Sequence, residues 1–447
     1  MKNASIIILF VVIFAASAQM TPSYALDIAE LQKSIDEKGA EWTAGETKFS
    51  HLSAEGFAQM LNYPLETPVL PEGKILHEWN GEVKDDPPDQ LDWRDYNGKN
   101  FLTSIKDQHP CGSCATFSTV GCLESHIKIV MDNEFIEPNL AEQLVWSCSG
   151  GIMPPATFFH TLGWLQSEGT ADEACFPYDA EEQCADSSLG RVDCAERCED
   201  WENRTYGIDE YQFFMFQQPE TFIQPLQSGP IVAGFMVFED FQDYTEGVYD
   251  HTTGAMLGGH AVLIVGYDAQ EEYWICKNSW GADWGENGYF RVRWGDGLLD
   301  FGYQAAHMDV SFESVCGGNE APAISDLVVS GKAEGESEIL FNYEDLDANL
   351  AGAELFYSID GGDFVRFDSP TTQLVGLSGE ASFIIADEFS SIQVYVKDIC
   401  GVESNQLNVG EQVDDDDDDT ADDDAADDDE ADGDDDDDDD DDSGCGC

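Results

Sequence analysis

The run Gln108-His109-Pro110-Cys111-Gly112-Ser113-Cys114 sets a thiol six residues after a carboxamide, and far downstream come Gly258-Gly259-His260-Ala261 and Asn278-Ser279-Trp280-Gly281. A thiol, an imidazole and carboxamides are the parts of an acyl-transfer site. The thiolate of Cys114 would attack a carbonyl, and His260 would protonate the leaving amine and then activate water. Asn278 would hold the imidazole through a side-chain hydrogen bond, while Gln108 and the backbone amide of Cys114 would stabilise the oxyanion. A thiol is nucleophilic near neutral pH only beside a cation and in a favourable field. His260 can supply the cation. Residues 116–131 read as a helix with Val120, Leu123, Ile127 and Val130 on one stripe, so Cys114 would stand at its positive amino end.

At these residues the chain resembles the papain-like, C1-type cysteine peptidases. Their signature is Cys-Gly-Ser/Ala-Cys followed by Trp or Tyr, with His and Asn about 130 to 150 residues downstream. His260 follows Cys114 by 146 residues and Asn278 by 164, the latter inside Lys277-Asn278-Ser279-Trp280-Gly281 and ahead of Trp284-Gly285-Glu286-Asn287-Gly288-Tyr289. Gly247-Val248-Tyr249-Asp250-His251, Gly258-Gly259-His260-Ala261-Val262 and Trp42-Thr43-Ala44-Gly45 are similar to the cathepsin B branch. Four separated motifs in one order make the resemblance specific, over residues 26–312.

The resemblance implies roles residue by residue. Gln108 becomes the oxyanion donor, Cys114 the nucleophile, His260 the acid and base, and Asn278 its orienter. Trp280 shields the histidine-asparagine bond. Gly150 and Gly151 bind substrate as an extended strand through their backbone, and Cys111 pairs with Cys148 to brace the nucleophile's loop. Ala306 floors the pocket for the second residue before the cut, so bulky apolar or aromatic side chains are expected there. No cofactor and no metal is implied.

Three departures stand out. Ala115 and Thr116 replace the usual Trp and Ala, and Phe301-Gly302 replaces a Cys-Gly. The histidine-bearing occluding loop of cathepsin B is not visible, which points to an endopeptidase rather than a dipeptidyl carboxypeptidase.

The elements that must position these residues suggest several domains, since 447 residues exceed one compact core. Residues 1–25 read as a signal peptide, with an apolar run at 6–16 too short to span a bilayer. Residues 26–86 read as an inhibitory propeptide. Within it Ile28, Leu31, Ile35 and Trp42 fall on one helical face, Ser53 caps a second helix burying Phe57, Met60 and Leu61, and 64–88 is extended.

Residues 87–316 carry the chemistry, in an α+β, two-lobed papain-like fold with the helix of Cys114 in one lobe and the strands of His260 and Asn278 in a β-barrel-like lobe. Residues 317–410 alternate in short runs (324–329, 339–341, 355–357, 383–385, 392–396), with Asp360-Gly361-Gly362 as a tight turn, and read as an all-β immunoglobulin- or fibronectin-like sandwich. Residues 411–447 are an Asp-rich tail ending in Cys-Gly-Cys that cannot bury enough apolar surface to fold.

Thirteen cysteines behind a signal peptide indicate an oxidising compartment, and the odd count leaves a thiol over, for which Cys114 is the candidate. Cys175, Cys184, Cys194 and Cys198 form a local cluster able to make two bridges; Cys122 and Cys276 read as core thiols or a structural bridge. Of the net charge of −73, the 22 Asp and one Glu of 414–442 carry 23, leaving −50 on the rest. Such a surface excludes nucleic acid and anionic lipid as partners. The tail would bind calcium weakly at most and reads first as a soluble spacer. Asp345, Asp347 and Asn349 lack the Gly and distal Glu of a calcium loop and read as a solvated turn. The expected partners are protein or peptide substrates and the chain's own propeptide, in an extracellular or cell-surface setting. The competing reading is a non-catalytic adhesion or matrix protein using this fold as a scaffold.

Overall fold

The computed structural model describes residues 26–61, 63, 86–149, 157–179, 192–214, 219–295, 305–317, 320–331, 336–345, 353–367, 374, 378–386 and 389–410. The signal segment, most of 64–88, Gly150, Gly151, Cys184, Phe301-Gly302, Asp347, Asn349 and the acidic tail lie outside these residues.

The N-terminal segment forms α1 (Ile28–Lys38), β1 (Glu41–Ala44) and α2 (Ala54–Ala58). Asp27 caps α1 by accepting from the amides of Ala29 and Glu30, and Leu31 and Ile35 are its buried face. Trp42 is not on that helix: Gly39, at φ 74°, turns the chain left-handed and ends α1, so Trp42 falls in β1. Ser53 does cap α2, and Phe57, Met60 and Leu61 are buried.

Next come β2 (Gln90–Asp92) and a helical lobe of α3 (Cys114–Val130), α4 (Glu142–Cys148) and α5 (Phe158–Ser167). α3 is buried on every side from Cys114 to Lys128 rather than along one stripe. A helix this enclosed must satisfy its polar side chains internally. Glu124 accepts from Thr103 Oγ1 (2.6 Å) and Lys106 Nζ (2.8 Å), Lys106 also pairs with Glu142 (2.7 Å), and Lys128 Nζ reaches the Leu102 carbonyl (3.1 Å).

The second lobe contains β3 (Glu210–Phe214), α6 (Glu220–Leu226), β4 (Ile231–Phe238), β5 (Tyr244–Tyr249), β6 (Met256–Asp268), β7 (Tyr273–Lys277), β8 (Tyr289–Arg293) and β9 (Ala305–Asp309), closed by α7 (Phe312–Cys316). The strands run β1-β5-β8-β7-β6-β4-β9-β3, with β2 also on β6. The N-terminal β1 is thus an edge strand of the sheet that carries His260. Pairing is antiparallel except between β5 and β8.

His126 on α3 and His307 on β9 meet edge to face at 5.3 Å in this core. Burial pushes His126 down to about 3, helped by His307, and burial alone pushes His307 to about 4. Both values lie below the ordinary imidazole value of about 6.5, so the unfolded chain takes up protons first. Their stabilising contribution is therefore intact above about pH 6.5 and drains away as pH falls toward 4 and then 3. On the order of 2 kcal/mol per imidazole is lost by pH 4.5. Thermal unfolding between pH 7 and 4.5 should show a steep fall in Tm for the wild type and a shallower one for His126→Gln; parallel slopes would refute this assignment.

The expected Cys111–Cys148 bridge is not formed. Cys148 bonds to Cys194, because the end of α4 faces the turn at Cys194–Glu196 with a Cα–Cα distance of 5.1 Å, within bridging range. Cys175 bonds to Cys198, so the local cluster contributes one bridge of its own and lends Cys194 to α4. Cys111 is disulfide-bonded to a partner other than Cys148. Among the described cysteines, Cys114, Cys122 and Cys276 remain thiols, all buried.

The C-terminal strands are β10 (Ala323–Gly331), β11 (Ser337–Glu344), β12 (Glu354–Ile359), β13 (Val365–Arg366), β14 (Ser378–Ile385), β15 (Ser391–Lys397) and β16 (Leu407–Gly410). They make two sheets, β10-β11-β14 and β13-β12-β15-β16, which share one core in which Ile324, Phe341 and Phe383 of the first join Leu355, Ile392 and Val394 of the second. Asp360 and Gly361 both take positive φ (49° and 70°) in the turn from β12 to β13. Asp345, expected in a solvated turn, is buried at the end of β11.

Cys316, closing α7, bonds to Cys400, just past β15, across a separation of 84 residues. Arg366 also lies over the Phe135 ring at 3.7 Å. A loop closed over that length stabilises by roughly 4 kcal/mol in the chain-entropy view. The double substitution Cys316→Ser/Cys400→Ser should therefore lower the calorimetric Tm of the C-terminal sheets by at least about 10 °C; an unchanged transition would sink that estimate.

Candidate active site

The loop before α3 is stitched to the run after β7. The Gln108 amide donates to the Ser279 carbonyl (2.9 Å), Ser279 Oγ donates to Gln108 Oε1 (2.6 Å), and Asp107 pairs with Trp280 as an isolated bridge. Gln108 Nε2 then donates to the Cys111 carbonyl (2.7 Å) and to the Met60 carbonyl (3.1 Å). Cys114 opens α3, where the field of the helix amino end favours an anion.

Tyr178 was not singled out from the sequence, yet it holds both ends of this loop. Its hydroxyl donates to the Gln108 carbonyl (3.0 Å) and shares a hydrogen bond with Ser113 Oγ (2.7 Å), while its ring meets Phe117 edge-on at 4.8 Å. Ser279 carries no sequence signal beyond its place between Asn278 and Trp280.

His260 sits within β6, opposite Phe235 of β4, and is fully buried. Its Nε2 lies 2.8 Å from Asn278 Oδ1, and that oxygen also accepts from the Ser279 amide at 2.8 Å. An atom that accepts from a backbone N–H is the carbonyl oxygen of the carboxamide, so the imidazole must donate from Nε2. Nδ1 is then the lone-pair nitrogen of the neutral ring, and it has no hydrogen-bond partner among the described residues. Trp280 stacks on His260 at 4.6 Å and 28°, fully buried, as a lid over the histidine-asparagine bond.

The N-terminal segment covers this assembly. Phe49 and Phe57 pack edge-on against Trp280 at 5.7 and 5.2 Å, and the Tyr63 amide donates to the Gly259 carbonyl at 3.0 Å. Lys48 bridges Asp107 (2.5 Å) and Asp283 (3.3 Å), and Gln242 Nε2 donates to the carbonyls of Phe49 and Leu52. Under this cover, burial pushes His260 down to about 4 against the pull of Asn278. Burial, and then the adjacent Cys114, push the Tyr63 phenol up.

Gln108, Cys114, His260, Asn278 and Trp280 thus lie on three segments, the first tied to the third through Ser279 and the second to the third through the bond from His260 to Asn278. Ala306 is buried in β9, paired with Phe213 of β3 and Val232 of β4. Gly150 and Gly151 lie outside the described residues. A cavity of about 20 Å³ lies between α3 and β6, lined by Ser118, Gly121, Ala261 and Asn278 among others. It has room for about one water and is not a substrate cleft.

Residues 87–307 match the family described as papain family cysteine protease. The chain is 32% identical over 290 residues to a cathepsin B-like protein, CP2, of Giardia intestinalis, covering 63% of this chain and 92% of that one. It is 32% identical over 216 residues to cathepsin B of Dictyostelium discoideum, covering 44% of this chain and 68% of that one. Among solved structures, proCathepsin B S9 from Trypanosoma congolense aligns with a TM-score of 0.54 at 20% identity, over 64% of this chain and 99% of its own, a likeness of fold.

Proposed function

Because the chain belongs to the papain family of cysteine proteases, with that family's α+β fold in its catalytic region, we propose that it is a secreted endopeptidase made as a zymogen. The observation that carries the mechanism is the 2.8 Å bond from His260 Nε2 to Asn278 Oδ1 beneath Trp280. It leaves Nδ1 to take the Cys114 proton, giving a thiolate and an imidazolium. The sulfur adds to the scissile carbonyl carbon, and the oxyanion takes hydrogen bonds from Gln108 Nε2 and the Cys114 amide. Collapse breaks the C–N bond, and the amine leaves with the proton from Nδ1. Water then adds to the thioester, returning a proton to Nδ1, and the acid departs as the thiol re-forms.

Residues 26–86 act as the inhibitor. Met60 occupies the Gln108 donor, Phe57 packs on Trp280 and Tyr63 pairs with Gly259, so cleavage or displacement of this segment precedes activity. The two-sheet module at 317–410 is read as immunoglobulin-like, and 411–447 as a soluble spacer. Together with the signal peptide at 1–25, they hold the enzyme outside the cell or at its surface. The non-catalytic scaffold reading has only Ala115 in its favour.

The test is to process the zymogen by acid or a second protease, sequence the new amino terminus, and react it with an epoxide affinity label. Labelling of Cys114 with casein cleavage is expected; neither appearing would overturn the proposal. Since Ala306 is small, fluorogenic dipeptides with Phe or Leu two residues before the cut should outperform Arg in kcat/KM, and the reverse order would refute that pocket assignment.

A further inference from the structure

We propose that the strand edge and aromatic socket now filled by β1 become, once the N-terminal segment has left, a docking site outside the catalytic cleft. Its ligand would be an extended segment of a protein substrate with an indole directly after an acidic residue. The inference rests on the zymogen reading above.

β5 is bonded to β8 on one side and to β1 on the other, with Glu41 opposite Val248, Trp42 opposite Gly247 and Thr43 opposite Glu246. Departure of β1 leaves one row of β5 amides and carbonyls unpaired, a template for another extended chain. Gly247 is fitted to that purpose. It holds φ at 100°, and a Cβ there would come within 2.3 Å of the Glu41 carbonyl oxygen and 2.6 Å of Trp42 Cα. A side chain at 247 would bar the strand.

The socket is built from the enzyme's own core. Trp42, 3% exposed, packs at 6.2 Å from Tyr244 and 5.2 Å from Tyr249, and its N–H donates to the Asp250 carbonyl at 3.1 Å. The two tyrosines are held from behind. Phe241 lies 5.8 and 4.7 Å from their rings, Tyr244 donates to the Gly247 carbonyl (2.7 Å), and Tyr249 donates to Asp240 (2.6 Å). These contacts do not involve Trp42, so the socket outlasts its present occupant. At the rim Arg293 pairs with Glu41. On a chain of 19 Lys and Arg against 92 Asp and Glu, a guanidinium at an open strand edge selects an acidic residue. The His260 and Trp280 site is covered by other residues, Phe49, Phe57 and Tyr63, so a ligand seated here leaves the cleft open.

The probe is a fluorescent peptide of residues 38–47 added to processed enzyme whose Cys114 has been blocked by an epoxide. Anisotropy should report binding despite the block, and Trp42→Ala in the peptide should weaken it at least about 30-fold. Arg293→Gln in the enzyme should weaken it too, and in that background Glu41→Gln in the peptide should have no further effect. With unblocked enzyme, fusing the segment to a protein substrate should lower KM severalfold at unchanged kcat, while KM for a fluorogenic dipeptide stays constant. No binding, binding indifferent to Trp42→Ala, or binding without the KM change overturns the proposal. Loss of dipeptide cleavage would instead count against the peptidase reading, leaving the anisotropy arm to judge the docking site.

Discussion

Cys114→Ser keeps the fold and the seated N-terminal segment but loses at least about 10⁴-fold in kcat on a fluorogenic dipeptide. Sulfur and oxygen are close in size, so a buried position at the start of α3 accepts serine with little repacking. The hydroxyl, however, ionises far less readily than a thiol. A helix terminus and one imidazole do not supply the difference. The variant cannot process itself, so it is compared after removal of the segment by added wild-type enzyme, with circular dichroism to check the fold. Cys122→Ser and Cys276→Ser are the controls. Burial pushes both of those thiols up, away from nucleophilic character, and neither change should alter kcat more than about twofold. Comparable losses at all three positions would mean that Cys114 is a packing residue.

Gln108→Glu separates the two duties of one carboxamide. The change keeps an acceptor for Ser279 Oγ, so the stitch between loop 107–114 and run 278–280 can persist. It removes the Nε2 donor and sets a carboxylate where negative charge would develop, which should cost about 10² to 10³ in kcat with KM nearly constant. The same donor holds the Met60 carbonyl. Inhibition of the processed variant by an added 26–86 peptide should accordingly weaken by about tenfold, the loss of one buried hydrogen bond. A change confined to KM, or unaltered inhibition, would rule out the oxyanion assignment or the Met60 contact respectively.

What the amino-acid order revealed, and what it hid, follow from the range of the forces involved. The thiol, imidazole and carboxamide sit in runs whose residue types are dictated locally, and they could be read one by one. Ser53 could be read as a cap for the same reason. The helical period groups Trp42 with Ile28, Leu31 and Ile35, but Lys38-Gly39 carries the stop signal of a left-handed glycine. The bridge from Cys148 to Cys194 depends on how α4 meets a distant turn, which no spacing encodes. Tyr178 is the clearest case. Its two hydrogen bonds to the nucleophile's loop join residues far apart in sequence, and a lone tyrosine after Phe176-Pro177 carries no mark of that partnership. α3 hid its true environment as well. The stripe of Val120, Leu123, Ile127 and Val130 is only part of what α3 buries, because Thr103 and Lys106 come from elsewhere to satisfy Glu124.

The bond between Cys316 and Cys400 has a consequence for survival among proteases. Every peptide link from 317 to 399 lies inside a covalent ring. A single nick there, by a neighbouring enzyme or by another copy of this one, opens the ring without releasing either piece. The catalytic lobes and the two-sheet module would still travel as one mass under non-reducing conditions and separate only when a reductant is added.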